Sequence, residues 1–210
     1  MFLNKGELPI ALNYFFEGLQ IAEQVPDPIS MSRFHLEIAK VYEVLQDDSL
    51  TDVYYEKSLA ISKQIDHVVG IANVKNTRAK QLLKKSAVEE AIDLSLEAAT
   101  LIKSSGDSCR LSDSYLNLGN IYLKTGLNDS SMYYLNKRQQ MAARCDVKNV
   151  LASSYNSKAA LHEKINDKQQ AIVYYEKALA IGEKENYSNV MITASSGLHQ
   201  LYSTLGDNEK

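Results

Sequence analysis

The stretch "AIVYYEKALAIGEK", residues 171–184, decides the fold because related stretches recur along the chain. "TDVYYEKSLAISKQ" occupies residues 51–64, and "ALNYFFEGLQIAEQ" occupies residues 11–24. The small residue that opens each stretch recurs every 40 residues, as Ala11, Thr51, Ala91, Ser131 and Ala171. Self-similarity at a fixed period of this length is the signature of a repeat architecture.

A second set of columns precedes the first and also recurs every 40 residues. One column of this set holds mainly small residues: Ala39, Ala79, Gly119, Ala159 and His199. Another column holds mainly aromatic residues: Phe2, Tyr42, Leu82, Tyr122, His162 and Tyr202. Between the two sets lies a turn column of Gly6, Gln46, Ser86, Gly126, Asn166 and Gly206. Both sets follow the three-and-four spacing of one helix face. The unit is therefore predicted to be an antiparallel helix pair. The fold is predicted to be all-α, an α-solenoid of about ten helices, since one pair cannot bury both its faces.

The columns resemble the tetratricopeptide repeat, whose first helix carries small-x-x-Tyr and whose second carries Ala-x-x-x-Tyr-x-x-Ala. "YLNLGNIYLKTG" (115–126) and "AIVYYEKALAI" (171–181) match that pattern best. The resemblance implies helix pairs stacked into a right-handed superhelix. The family's commonest unit has 34 residues, and 40-residue units with long helices resemble those of bacterial sensor kinases and transcriptional regulators, and of certain eukaryotic adaptor proteins.

The register predicts one solenoid segment over residues 1–210. We expect partial repeats at 1–26 and 187–210, and whole repeats at about 27–66, 67–106, 107–146 and 147–186. In the 40-residue register, the sequence starts near the end of a first helix, and it stops just before the next column of small residues. We therefore expect a segment of a longer protein.

Composition excludes several classes of function. The net charge of -3 gives no global attraction to nucleic acid or to an anionic membrane. No apolar run approaches the roughly 20 residues of a membrane helix. Cys109 and Cys145 are the only cysteines; one bridge is compatible with the sequence, but we expect free thiols. The compartment, cytoplasm or periplasm, stays undetermined.

The repeat pattern is broken at a few positions. Lys75 and Arg78 replace mainly aromatic and aliphatic residues, and Arg138 enters a small column. We favour sequence drift, with the stems of Lys75 and Arg78 lying along the surface and Arg138 pointing out past the packing. A flexible joint or a partner site around Lys75 and Arg78, and an acidic partner for Arg138, are the alternatives. His162 and His199 lie in adjacent units, but without further ligands they predict no metal site.

The resemblance also implies a concave surface, lined by the first helices, that takes an extended peptide or a helix. The helix period predicts which polar residues point there: Asn73, Asn76, Lys80, Asp113, Asn117, Asn120, Lys124, Asn156 and Lys164. Asparagine amides both donate and accept, which suits a peptide backbone; a merely solvated face is the alternative. Lys84, Lys124 and Lys164 also suit the helix dipole near helix C-termini. The Lys and Asn carboxylate clamp of some family members is absent, since Leu116, Ser153 and Ser157 hold its positions.

No phosphate loop, metalloprotease motif or nucleophile elbow occurs, so we predict no enzyme and no cofactor. The predicted function is a non-catalytic scaffold that binds a protein or peptide, in the sensory or regulatory part of a bacterial signalling protein. One alternative is an intramolecular scaffold. Another is a regulator that binds a small molecule or a short signalling peptide. We expect no nucleic acid or membrane partner for this segment, and self-association through open solenoid ends is a further option.

Overall fold

The computed structural model describes residues 7–206. Ten α-helices and one 3₁₀ turn form this part of the chain, with no strand, which confirms the all-α prediction. The helices are α1 Leu8–Gln24, α2 Pro28–Leu45, α3 Asp48–Gln64, α4 Val68–Lys84, α5 Val88–Ser104, α6 Ser112–Thr125, α7 Asn128–Arg144, α8 Lys148–Lys164, α9 Lys168–Glu185 and α10 Ser188–Gly206. Phe2 and Gly6 of the predicted columns lie outside the described residues. The chain divides into two compact units, Met1–Gly106 and Asp107–Lys210.

In the first unit, each helix packs against its neighbours along the chain. Helices α2 and α4 form one layer, and α1, α3 and α5 form the other. Small residues at the crossing let the layers approach closely. The Oγ atom of Ser32 lies 3.1 Å from Ser58 Oγ and 2.6 Å from Ser62 Oγ, so these buried hydroxyls satisfy one another.

The second unit repeats this arrangement, with α6, α8 and α10 in one layer and α7 and α9 in the other. Ser131 Oγ donates to the carbonyl oxygen of Gly119 at 2.8 Å, which brings α7 close to α6. A Cβ atom at Gly119 would lie only 2.8 Å from Leu135 Cδ2. The missing side chain therefore makes room for a leucine that is buried between the two helices.

The turns inside the helix pairs fall on the predicted turn column. Gln46, Ser86, Gly126 and Asn166 all have left-handed backbone, with φ of 61°, 66°, 81° and 63°. The turns that follow the second helices also contain a residue with left-handed backbone: Asp66, Gly106, Asp146 and Asn186. Left-handed residues commonly end helices because they turn the chain while satisfying the last carbonyls.

The expectation of free cysteines is wrong. Cys109 and Cys145 form a disulfide, with their Cα atoms 5.9 Å apart. Cys109 lies in the 3₁₀ turn Ser108–Leu111 that precedes α6, and Cys145 directly follows α7. In an antiparallel pair, the start of the first helix lies beside the end of the second. The bridge therefore closes the open end of this helix pair.

No helix in the described part of the chain is both long and apolar enough to cross a membrane.

Candidate functional site

The outward side of the first helices is the surface on which the candidate binding residues were predicted. In the first unit, α4 exposes Asn73 and Lys80 there. Asn76, in contrast, is buried with only 4% of its surface exposed. It comes three residues after Asn73, which turns its side chain by about 60° around the helix, into the packing.

In the second unit, four of the predicted residues are exposed on α6 and α8: Asp113, Asn120, Lys124 and Lys164. We call this set the first-helix face of the second unit. Two predicted members do not belong to it, because Asn117 and Asn156 are buried, with 3% and 8% of their surface exposed. The prediction that all five asparagines point outward is therefore wrong for Asn76, Asn117 and Asn156.

Asn156 has a structural partner that explains its burial. Its Nδ2 atom donates to the carbonyl oxygen of Val190 at 3.1 Å, which ties α8 to α10. Its Oδ1 atom is buried and accepts no hydrogen bond from the described residues. The residue thus joins two first helices and does not present its amide to a ligand.

Lysines near the first-helix C-termini bridge neighbouring helices. Lys164 Nζ donates to the carbonyl oxygen of Leu123, in the last turn of α6. Two repeats earlier, in the first compact unit, Lys84 Nζ lies 2.7 Å from Glu43 Oε1 on α2. A cation near the partially negative C-terminus of a helix is stabilising. Lys164 therefore has a packing role besides any role in binding.

The irregular residues of α4 form ion pairs across helices. Lys75 pairs with Glu97 on α5, and Arg78 Nη1 lies 2.6 Å from Glu56 Oε1 on α3. The acidic partners are largely exposed, so each pair contributes little to stability. Lys75 thus forms an ion pair at a position that is Tyr at 115 and 155, and Arg78 at a position that is Ile at 38 and Leu at 118.

Among the described residues of the second unit, Arg138 and Lys158 are the two buried charged residues, each with 4% of its surface exposed. The Nη1 atom of Arg138 donates to Ser154 Oγ at 3.0 Å, and its Nη2 atom donates to Ser153 Oγ at 2.9 Å. Burial lowers its pKa to about 10, against a smaller opposing effect of Asp113. The side chain therefore lies within the packing, and the expectation that it points out past the packing is wrong.

His162 and His199 have separate surroundings. His162 Nδ1 lies 3.1 Å from Asp167 Oδ2, and its ring packs 5.2 Å from that of Tyr174. His199 is exposed on α10. Within residues 7–206, no group of three potential metal ligands comes together.

Sequence reasoning missed a recurring pair of stacked tyrosines. Tyr42 stacks on Tyr54 at 5.5 Å between ring centroids, and Tyr122 stacks on Tyr134 at 5.6 Å. Lys57 Nζ lies 4.9 Å from the Tyr54 centroid, within cation–π range. The 40-residue columns of positions 42 and 54 contained this signal. These clusters join the first and second helix of a pair, which makes them packing features.

Two stretches match the family model described as tetratricopeptide repeat, residues 112–142 and 152–184. They correspond to α6 with α7 and to α8 with α9. A comparison with curated proteins gives no match.

Solved structures share the fold along nearly the whole chain. BtubC from P. vanneervenii gives a TM-score of 0.76 at 17% identity, covering 95% of this chain and 85% of that one. Aspartyl phosphate phosphatase F from Bacillus subtilis gives 0.74 at 14% identity, covering 96% of this chain and 57% of that one. A signal transduction ATPase from Pyrococcus horikoshii with a tetratricopeptide repeat sensor gives 0.71 at 20% identity, covering 93% of this chain and 32% of that one. Residues 112–142 and 152–184 of this chain therefore match tetratricopeptide repeats, within an all-α helical-repeat fold that the chain shares with these proteins.

Proposed function

We propose that this chain is a non-catalytic scaffold that binds a protein or peptide on the first-helix face of its second unit. The observation that carries the proposal is the placement of Asp113, Asn120, Lys124 and Lys164 on one exposed side of two adjacent first helices. Donors and acceptors at fixed positions on helices are held more precisely than the same groups on loops.

The chemistry of this face suits an extended peptide. Asn120 supplies an amide that donates and accepts, Asp113 accepts, and Lys124 adds positive charge near the end of α6. Peptide backbones present the same two groups, an N–H and a carbonyl, at every residue. Contacts to them give affinity with modest dependence on the peptide's side chains.

We further propose a place in signalling. One structural neighbour is described as a signal transduction ATPase with a tetratricopeptide repeat sensor, and another is named an aspartyl phosphate phosphatase. Those descriptions belong to the neighbours, and a shared fold does not transfer an activity. They favour a sensory or regulatory segment over a purely structural one.

A peptide array tests the proposal. The purified chain would be applied to immobilised peptides, beside a face variant, Asp113→Ala with Asn120→Ala, and a control variant, Gln169→Ala with Glu183→Ala, on the exposed surface of α9. All four positions are exposed, so the three proteins should unfold alike. We expect the face variant to lose the bound spots and the control variant to keep them.

Equal binding by all three proteins would contradict the proposed face. Absence of binding by a folded wild-type chain would favour an intramolecular scaffold, whose surface another part of the same chain would occupy. A melting shift with small molecules in place of peptides would favour the ligand-sensing alternative.

A further inference from the structure

Arg138 stands in a column that otherwise holds small residues. Its counterparts in neighbouring repeats are Ser58, Ala98 and Ala178, and all of them are fully buried. Arg138 is buried as well, with 4% of its surface exposed, although its side chain is far longer. The extra length carries the guanidinium from α7 to α8, where it meets the hydroxyls of Ser153 and Ser154.

The guanidinium of Arg138 lies next to the first-helix face. Ser153 is the counterpart of Asp113 one repeat later, and Asp113 is the acidic group whose charge acts on Arg138. Asp113 and Ser153 belong to a column of the 40-residue repeat whose other described members are exposed: Arg33, Asn73 and Thr193. Ser153 alone is half-buried. The head group of Arg138 therefore lies directly beneath the face, with Ser153 above it.

The described hydrogen-bond acceptors of the Arg138 guanidinium carry no negative charge. Within the described residues it forms no ion pair, and both of its acceptors are neutral hydroxyls. Its Nε atom is buried with no acceptor among those residues. A buried charge is normally paired, because leaving it without a counter-ion costs several kcal/mol. Neither of its two described acceptors is the carboxylate that a guanidinium binds best.

We propose that Arg138 recognises an acidic side chain of the segment bound on the first-helix face, which rests on the proposed function. A carboxylate fits because a guanidinium donates two parallel hydrogen bonds to its oxygens. A dianionic phosphate would be repelled more strongly by the neighbouring Asp113. The proposal thus names an aspartate or glutamate in the partner.

Ser153 permits the exchange that such binding requires. Its Oγ atom lies 3.1 Å from the carbonyl oxygen of Val150 and donates to it. When an incoming carboxylate replaces the hydroxyl at Arg138 Nη2, Ser153 keeps this second hydrogen bond. The Ser153 hydroxyl is therefore not left without a hydrogen-bond partner, so its displacement carries no such penalty.

The test uses peptides from the array in paired versions, with each Asp or Glu replaced by Asn or Gln. For the wild-type chain, we expect one acidic position at which the amide version binds at least tenfold more weakly. Arg138→Ala, which installs the residue found at 98 and 178, should bind both versions equally. Arg138→Met, a neutral side chain of similar length, serves if the alanine variant does not fold.

Asp113→Asn should change the acid-to-amide preference in the opposite direction. It removes the nearby negative charge that repels an incoming carboxylate, so the acid-to-amide preference should increase even where both peptide versions bind more weakly. An unchanged acid-to-amide ratio in both the Arg138 and Asp113 variants would overturn the inference while leaving peptide binding intact. If the folded wild-type chain binds no peptide at all, the proposed function fails, and this inference fails with it.

Discussion

Tyr175 donates a hydrogen bond to Glu163 at 3.0 Å, and Tyr55 makes the equivalent bond to Glu43 at 3.2 Å. The two pairs lie three repeats apart at identical positions of the 40-residue unit. In the two repeats between them, the pair becomes Ser95 with Leu83 and Leu135 with Leu123. The tyrosine and its carboxylate are therefore present together or absent together. Burial, reinforced by the carboxylate, raises the pKa of both tyrosines.

Removing this hydrogen bond should destabilise the second unit. Tyr175→Phe leaves the ring in place but takes away the donor to a carboxylate, so we expect the free energy of unfolding to fall by about 1.5 kcal/mol. Urea unfolding measures this. Tyr202→Phe is the matched control, because Tyr202 is exposed and its bond to Glu176 is longer, at 3.3 Å. Equal losses in the two variants would contradict the assignment.

His35 should make the first unit sensitive to acid. Burial, with a smaller effect of the Lys57 charge, lowers its pKa from 6.5 to about 4. A depressed histidine pKa means that the unfolded chain takes up the proton first, so stability falls as the pH drops from about 6.5 toward 4. The loss from this residue is at most about 3 kcal/mol.

His35→Tyr isolates that contribution, since tyrosine is the residue at the equivalent positions 115 and 155. Unfolding free energies of the variant and the wild type would be measured between pH 7 and pH 4. We expect the wild type to lose more stability over this range. Parallel curves would show that His35 does not titrate as its burial implies.

The disulfide should stabilise the second unit substantially. It joins positions separated by 36 residues, for which the chain-entropy model gives about 4 kcal/mol. Mass spectrometry of the intact chain before and after alkylation would establish the bond. Cys109→Ser with Cys145→Ser should then unfold at lower urea than the oxidised wild type. Two freely alkylated thiols in the air-oxidised protein would contradict the pairing.

The left-handed turns predict a pair of opposite effects. Ser86 adopts φ of 66°, a conformation that costs a non-glycine residue about 1 kcal/mol, so Ser86→Gly should stabilise the chain. Gly126 adopts φ of 81° with nothing near an added Cβ, so Gly126→Ala should destabilise it by a similar amount through backbone strain alone. Thermal unfolding compares the two, and changes of the same sign would refute the account.

The sequence was sufficient for the helix pairs and their turns because the 40-residue period repeats every element several times. Side-chain direction near the edge of a helix face was harder, since it depends on where the neighbouring helix lies. Asn76 and Asn156 illustrate this, as each turns into the packing instead of outward. Arg138 is irregular in the repeat pattern of the sequence, but only the structure relates its guanidinium to Ser153 and Asp113.

The disulfide could have been found from the register. Cys109 precedes the first helix of a pair and Cys145 follows the second, and antiparallel packing places those two ends side by side. Two cysteines alone, without that geometric step, do not distinguish a bridge from free thiols.

Photo-crosslinking tests the central claim most directly. A benzophenone amino acid would be placed at position 120 on α6 or, in a second protein, at position 169 on α9. Each protein would be irradiated with a peptide that the array has selected, and mass spectrometry would locate the adduct. The proposed first-helix face predicts a peptide adduct from position 120 and none from position 169. An adduct from position 169 alone would place recognition on the opposite layer and contradict the account.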